Sequence, residues 1–381
     1  MLLRKLSHAN RTTHGQQATH RTRPNRALSR FVTLTPKQPG AWVKVDAPIT
    51  ANMADIAAQV QRLEEIGYDG VRLAELNHDP FMPLAIAAEH SSHIELVTSV
   101  AVAFSRNPMS MAIQAHDLNT FAQGRLVLGL GSQVKPHIER RFSMPWHKAA
   151  AQMRDFIQAM QAIFDCWYDG KRLEYTGEYY QHTLMPATFT PDIPEGTQAS
   201  RPRIALSATG PLMTRIAAEL TDGMIMHPFS SEKYMREVTL PAVEQGLATS
   251  GRSLTDFSLD YAPMIATAST EEGLVKARAM VRDRIAFYGC TVAYKPVLDC
   301  HGWGDLQDEL IRLNRAHDKP AMAALISDEM VDTIAICGEP EEVVAKMQQR
   351  FGGLIQRTSF TGLALDDDTL HTMLQQLRQA A

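Results

Sequence analysis

The 381-residue sequence predicts an α/β chain of the (β/α)8 TIM-barrel class with insertions. Three observations predict it. From Trp42 onward, short β-rich runs alternate with helical patterns, the signature of a parallel sheet with crossover helices. Several of these runs are apolar nearly throughout, as strands covered on both faces are. Polar residues gather just behind the runs, at the end of a barrel where ligands are handled.

The first strand is expected at Val43–Ile49. Behind it Met53, Ile56, Val60, Leu63 and Ile66 recur at spacings of three and four, with Asn52 as cap and Gly67 as stop, so a helix follows. The second unit runs from a strand at Gly70–Leu76 into a helix at Pro83–His90. The third strand is Ile94–Phe104, and a helix at Met109–Phe121 leads to the fourth strand, Arg125–Gly131. Lys148–Trp167 is amphipathic, with Met153, Phe156, Ile157, Met160, Ile163 and Phe164 on one side. Residues 169–200 hold three prolines and three glycines and break the rhythm; they read as an insertion, a hairpin over one end of the barrel. Alternation resumes with Arg203–Ser207, a helix at Pro211–Leu220, then Gly223–Met226 and Phe257–Ala266. Helices at Glu271–Tyr288, Asp305–Leu313 and Pro340–Phe351 fill the last third, before a strand near Ser359–Leu363 and a closing helix from Asp367. Eight strands result.

Residues 1–41 carry eight Lys and Arg and no acid, and are expected to form a basic, disordered arm outside the barrel domain 42–381. All 42 Asp and Glu lie beyond the arm, against 30 of the 38 Lys and Arg, so the body is acidic. That balance argues against nucleic acid or an anionic membrane as partner and points to small molecules. No run approaches the ~20 apolar residues of a membrane span. Cys166, Cys290, Cys300 and Cys337 form no C-x-x-C pair, which suits a reducing, cytoplasmic setting.

The strand-following segments offer Glu75, Asn77 and His78; Ser105, Arg106 and Asn107; Ser132, Gln133 and His137; Thr209 and Gly210; and His227. The segment Ser207-Ala-Thr-Gly-Pro-Leu-Met-Thr214 passes from strand to helix through a glycine, with Pro211 at the first helical position. Proline has no N–H to lose there, while Leu212 and Met213 present amides at the positive end of the helix dipole. Such a turn can hold a phosphate without Lys or Arg, and can equally be an ordinary connection. Gly129-Leu-Gly-Ser132 is either a backbone surface for a ligand or tight packing of strand on helix. His78 and His227 fit acid–base, ligand-binding or structural roles alike.

Four segments, Asp69-Gly-Val-Arg-Leu-Ala-Glu75, Thr98-Ser-Val-Ala-Val-Ala-Phe-Ser-Arg-Asn-Pro108, Gly124-Arg-Leu-Val-Leu-Gly-Leu-Gly-Ser132, and Ala208-Thr-Gly-Pro211 with Leu220-Thr-Asp-Gly223, occur in an order that resembles the bacterial luciferase-like flavin monooxygenases. Within that family the chain is similar to the branch dependent on coenzyme F420, a deazaflavin. The resemblance covers about residues 43–365. It implies an oxidoreductase that moves a hydride between F420 and an organic molecule. It also implies a cis bond between Ser99 and Val100 behind the redox ring, and a dimer. Glu75 and His78 match the acid and histidine beside the ring, at a wider spacing than the adjacent pair expected there. Ser132, Gln133 and His137 match positions that touch the cofactor tail or ring edge; Thr209, Gly210, Leu212 and Met213 match its phosphate turn.

The chain departs from the sugar-phosphate dehydrogenases of the family. Val134 stands where they place a glutamate, and His227–Ser230 brings no cations for a sugar phosphate. An apolar substrate is therefore expected, with Phe81, Phe104, Trp146, Met226 and Phe229 around the rim and His227 facing it. The alternative cofactor is FMN, reduced and used with oxygen by a two-component monooxygenase. A metal-dependent hydrolase with Glu75, His78 and His227 as ligands is disfavoured, because the first strand, Val-Lys-Val-Asp-Ala-Pro-Ile, lacks paired histidines; no metal is expected. A cofactor-storing or structural barrel is the non-enzymatic reading.

Overall fold

Eight parallel strands pair in a closed ring, and a computed structural model describes them within residues 43–193 and 200–379. The chain divides into two units, 1–35 and 36–381, and every described residue belongs to the second. The expected arm, residues 1–41, lies outside the described residues.

The barrel strands are β1 (Lys44–Pro48), β2 (Gly70–Leu73), β3 in two pieces (Glu95–Thr98 and Ala101–Val102), β4 (Leu126–Gly131), β5 (Arg203–Ala208), β6 (Gly223–Met226), β7 (Ser258–Tyr261) and β8 (Arg357–Ser359). Pairing of β1 with β8 and of β3 with β4 closes the ring. The strand runs are buried because helices cover their outer faces, which explains their near-continuous apolar sequence. Helices Pro108–Phe121 and Pro211–Leu220 begin on proline, and the first is capped by Asn107, whose side chain accepts from the Ser110 amide.

The interior splits into two halves. Val97, Val127, Ala205 and Ile225, from β3 to β6, form a buried aliphatic cluster. From β7, β8, β1 and β2 come Asp260, Arg357, Asp46 and Arg72, all buried. Arg357 grips Asp46 with two bonds of 2.6 Å, and Arg72 joins Asp46 at 2.6 Å to Asp260 at 2.9 Å. Near the strand starts, Glu95 collects Arg357, Lys44 and Arg203 at 2.5, 2.7 and 2.9 Å. A floor of paired charges thus replaces half of the usual hydrocarbon filling.

Several boundaries differ from the sequence expectation. The first helix is Ile56–Ile66, capped at Asp55 rather than Asn52. The expected strand Phe257–Ala266 is two strands: β7 ends at Tyr261, and Met264–Thr267 leaves to pair with Ala335–Gly338 in a separate parallel ribbon. Pro263 between them has no N–H to give to a ladder. The last strand, Arg357–Ser359, starts two residues and ends four residues before the expected bounds. Helices between Glu271 and Ile334 build a cap with its own core around Val281, Ile285, Leu310 and Val331.

In the insertion, Tyr175–Thr176 pairs antiparallel with Gln181–His182. Buried Asp155, on helix Ala149–Asp169, holds this hairpin by accepting from the Tyr175 hydroxyl and the amides of Tyr179 and Tyr180. Residues 194–199 of the insertion lie outside the described residues. No helix among the described residues is long and apolar enough to cross a membrane.

Candidate active site

The third strand is broken at Ser99–Val100, whose peptide bond is cis, as the resemblance implies. Around the break the backbone is held from β2: Ser99 N–H donates to Leu73 O at 2.8 Å, and Glu75 N–H donates to Val100 O at 3.1 Å. On the other flank β4 carries Gly129 and Gly131. A Cβ on Gly129 would stand 2.0 Å from Thr98 O, and one on Gly131 would stand 2.5 Å from Val100 Cγ2. The glycine motif is therefore tight packing, but of strand on strand rather than strand on helix.

Above the aliphatic cluster the inward positions are small. Gly131 lies beside Val100 and Ser207, and alternation along β2 and β7 places Ala74 beyond Arg72 and Ala262 beyond Asp260. Ser99, Val100, Ser207 and Ala262 are half-buried and Ala74 is exposed, so side chains do not plug the mouth.

Helix Pro211–Leu220 starts at this mouth. Its first backbone hydrogen bond runs from Thr214 N–H to Gly210 O, and no hydrogen bond among the described residues uses the amides of Leu212 or Met213. A Cβ on Gly210 would meet nothing within 4 Å and would project into open space. The Tyr234 hydroxyl braces the turn by donating to Thr209 O at 3.3 Å. Behind it lies a cavity of about 20 Å³, room for a water molecule, touched by Thr209, Thr214, His227 and Ser230. The buried Ser230 Oγ has no partner among the described residues. The positive helix end, two free amides and an open glycine form a cradle suited to a phosphate.

Glu75 and His78 fare differently. Glu75 is buried and committed: its Oε2 accepts from Val102 N–H at 2.8 Å and from Arg106 at 2.7 Å. Arg106 is one of the candidates behind the third strand, and its pairing with Glu75 leaves no local signal in the sequence. His78 is exposed, and its ring has no hydrogen bond among the described residues. Among those residues no group of three or more His, Cys, Asp or Glu is placed to hold a metal ion, and Glu75, His78 and His227 do not converge as ligands.

Ser132 and Gln133 follow β4 half-buried; Gln133 has a positive φ of 60°, the Ser132 hydroxyl donates to its carbonyl, and its own side chain accepts from Val134 N–H. His137 is exposed on the short helix Lys135–Arg140. His227 packs against the cap, stacked on Tyr294 at 4.2 Å with Tyr288 edge-on at 4.6 Å. Its Nδ1 accepts from Phe229 N–H at 3.1 Å, which assigns the ring proton to Nε2, and Nε2 has no partner among the described residues. Burial holds its pKa down at about 4.

The expected aromatic rim needs correction. Phe81, Phe104, Met226 and Phe229 are core residues, and only Trp146 is partly open, edge-on to Phe104. Leu76 and Val134, on the loops after β2 and β4, and Leu212, in the first turn of helix Pro211–Leu220, are exposed apolar groups. Apolar residues placed outside the strand pattern were the signal for them.

Comparison with known proteins agrees with the barrel fold. The chain is 42% identical over 337 residues to an uncharacterized protein of Mycobacterium tuberculosis (strain ATCC 25618 / H37Rv), covering 88% of this chain and 98% of that protein. It is 29% identical over 301 residues to 5,10-methylenetetrahydromethanopterin reductase of Archaeoglobus fulgidus, covering 76% of this chain and 84% of the reductase. The solved structure of the coenzyme F420 dependent tetrahydromethanopterin reductase from Methanopyrus kandleri superposes with a TM-score of 0.71 at 18% identity, covering 90% of this chain and 98% of that one. The profile of the luciferase-like monooxygenases matches residues 29–357, and the chain belongs to that family.

Proposed function

We propose that this oxidoreductase uses coenzyme F420 and transfers a hydride between it and an organic small molecule. One observation carries the reading: an unplugged barrel mouth, floored by the Ser99–Val100 bulge, adjoins a cradle of unclaimed amides. A tricyclic ring with a phosphate-bearing tail matches both parts. Bound there, a deazaflavin supplies hydride transfer, and the protein supplies placement and electrostatics.

Leu212 and Met213 would hold the phosphate through N–H groups, with Thr209 and Gly210 shaping the turn. Ser99 and Val100 would support the ring, and Ser132, Gln133 and His137 would meet its edge or tail. His78, exposed and uncommitted, would take up or release the proton at a ring nitrogen. Glu75, with its oxygens already engaged, serves through placement. His227 would offer Nε2–H to an oxygen of the substrate, whose apolar body Leu76 and Val134 would meet.

The test is titration of the full chain with oxidised F420 and with FMN, followed by fluorescence. Saturable F420 binding, weakened at least tenfold in G210D and less in G210A, is expected, with both variants as stable as the parent because the glycine faces open space. Absence of binding to either cofactor ends the proposal. Preference for FMN, with oxygen uptake when it is reduced, transfers the assignment to a two-component monooxygenase.

A further inference from the structure

The loop that follows β2 exposes Leu76, Asn77 and His78, yet both of its ends are tied to one guanidinium. Arg106, on the segment after β3, donates to Glu75 at 2.7 and 3.0 Å and to Asp79 at 2.6 Å. Asp79 in turn accepts from Phe81 N–H at 2.8 Å, which fixes the start of helix Phe81–Glu89. Arg141 also donates to Leu76 O. Glu75 meanwhile grips both sides of the bulge, its N–H on Val100 O and its carboxylate on Val102 N–H.

We propose that Arg106 is a positioning residue that locks the His78 loop to the Ser99–Val100 bulge, so that the proton-handling group and the ring-supporting surface are set as one unit. The inference rests on the cofactor reading for its purpose, while the coupling itself rests on the contacts alone. Charge-assisted bonds of this length are the strong ones, and a planar fork can serve two carboxylates at once. Arg106 is itself fixed, donating to Val102 O at 3.2 Å and to Ser105 Oγ at 3.0 Å, with its guanidinium 5.7 Å from the centre of the Phe81 ring. Lysine, with a compact charge and no fork, cannot reproduce both arms.

The test is hydrogen exchange on the full chain and on R106A, R106K and E75Q, paired with F420 and FMN titration. In R106A, exchange at Phe81 N–H, held by Asp79, and at Val102 N–H, held by Glu75, is expected to accelerate together by at least tenfold, while β7 and β8 stay protected. R106K is expected to restore part of the protection and part of the cofactor affinity. E75Q is expected to keep the Val102 contact and loosen the loop. Acceleration in only one of the two segments, or spread evenly through the barrel, overturns the proposal. If the parent protein binds neither cofactor, the functional reading fails, and the exchange pattern still decides the coupling.

Discussion

Val100 fills the space that a side chain on Gly131 would need: a Cβ there would stand 2.5 Å from Val100 Cγ2. G131A must therefore push a residue of the mouth, whereas G129A meets the Thr98 carbonyl at 2.0 Å and must move backbone. Overpacking of this kind costs about 1–3 kcal/mol, and the backbone clash belongs at the upper end. Urea denaturation is expected to rank G129A below G131A, with both below the parent. Equal stability of all three would show that the strands separate freely.

The charged floor predicts acid sensitivity. Burial alone pushes the Asp46 carboxyl up, and Arg357 with Arg72 more than reverses this, so it titrates below ordinary aspartate. Glu95 behaves alike: burial raises it, and Arg357, Arg203 and Lys44 together hold it well below the usual range. Asp260 is pushed upward by burial and does not add to the effect. Because Asp46 and Glu95 bind protons more weakly folded than unfolded, their stabilisation is complete above roughly pH 4.3 and is lost as pH falls through the folded values. D46N is expected to cost about 3–5 kcal/mol at neutral pH, by leaving two buried guanidinium groups short of a partner, and to flatten the acid limb of a stability profile.

His227 works in a higher window. Its folded pKa of about 4 lies below the roughly 6.5 of an unfolded histidine. Neutral His227 therefore favours the fold fully above about pH 6.5, and this advantage is lost as pH falls toward 4. H227F keeps an aromatic ring against Tyr294 and cannot be protonated. Its urea midpoint is expected to decline less between pH 6.5 and 4 than the parent's, and parallel declines would refute the assignment.

Strand order and most helix positions were legible because they follow from local alternation: Pro211–Leu220 and Gly223–Met226 lie where the pattern puts them. The candidate site was only half legible. The free amides of Leu212 and Met213 are legible in adjacent residues, since proline and glycine at a strand-to-helix turn already imply them. Glu75 showed a rim carboxylate but not Arg106, 31 residues away, and nothing near His227 foretells Tyr288 and Tyr294. The charged floor left a fainter sign: a charge at a buried position of each of four strands, Asp46, Arg72, Asp260 and Arg357, two of each sign. Only the closed ring brings them to one level.

Asp46 meets Arg357 across 311 positions of chain, through strands that close the ring. A ribosome must therefore finish almost the whole polypeptide before the first strand finds the partner that grips both of its carboxylate oxygens, and any fragment ending short of β8 leaves Asp46 with Arg72 alone. Closure of this barrel therefore waits for β8, and a fragment lacking that strand leaves both the ring and its charged floor incomplete.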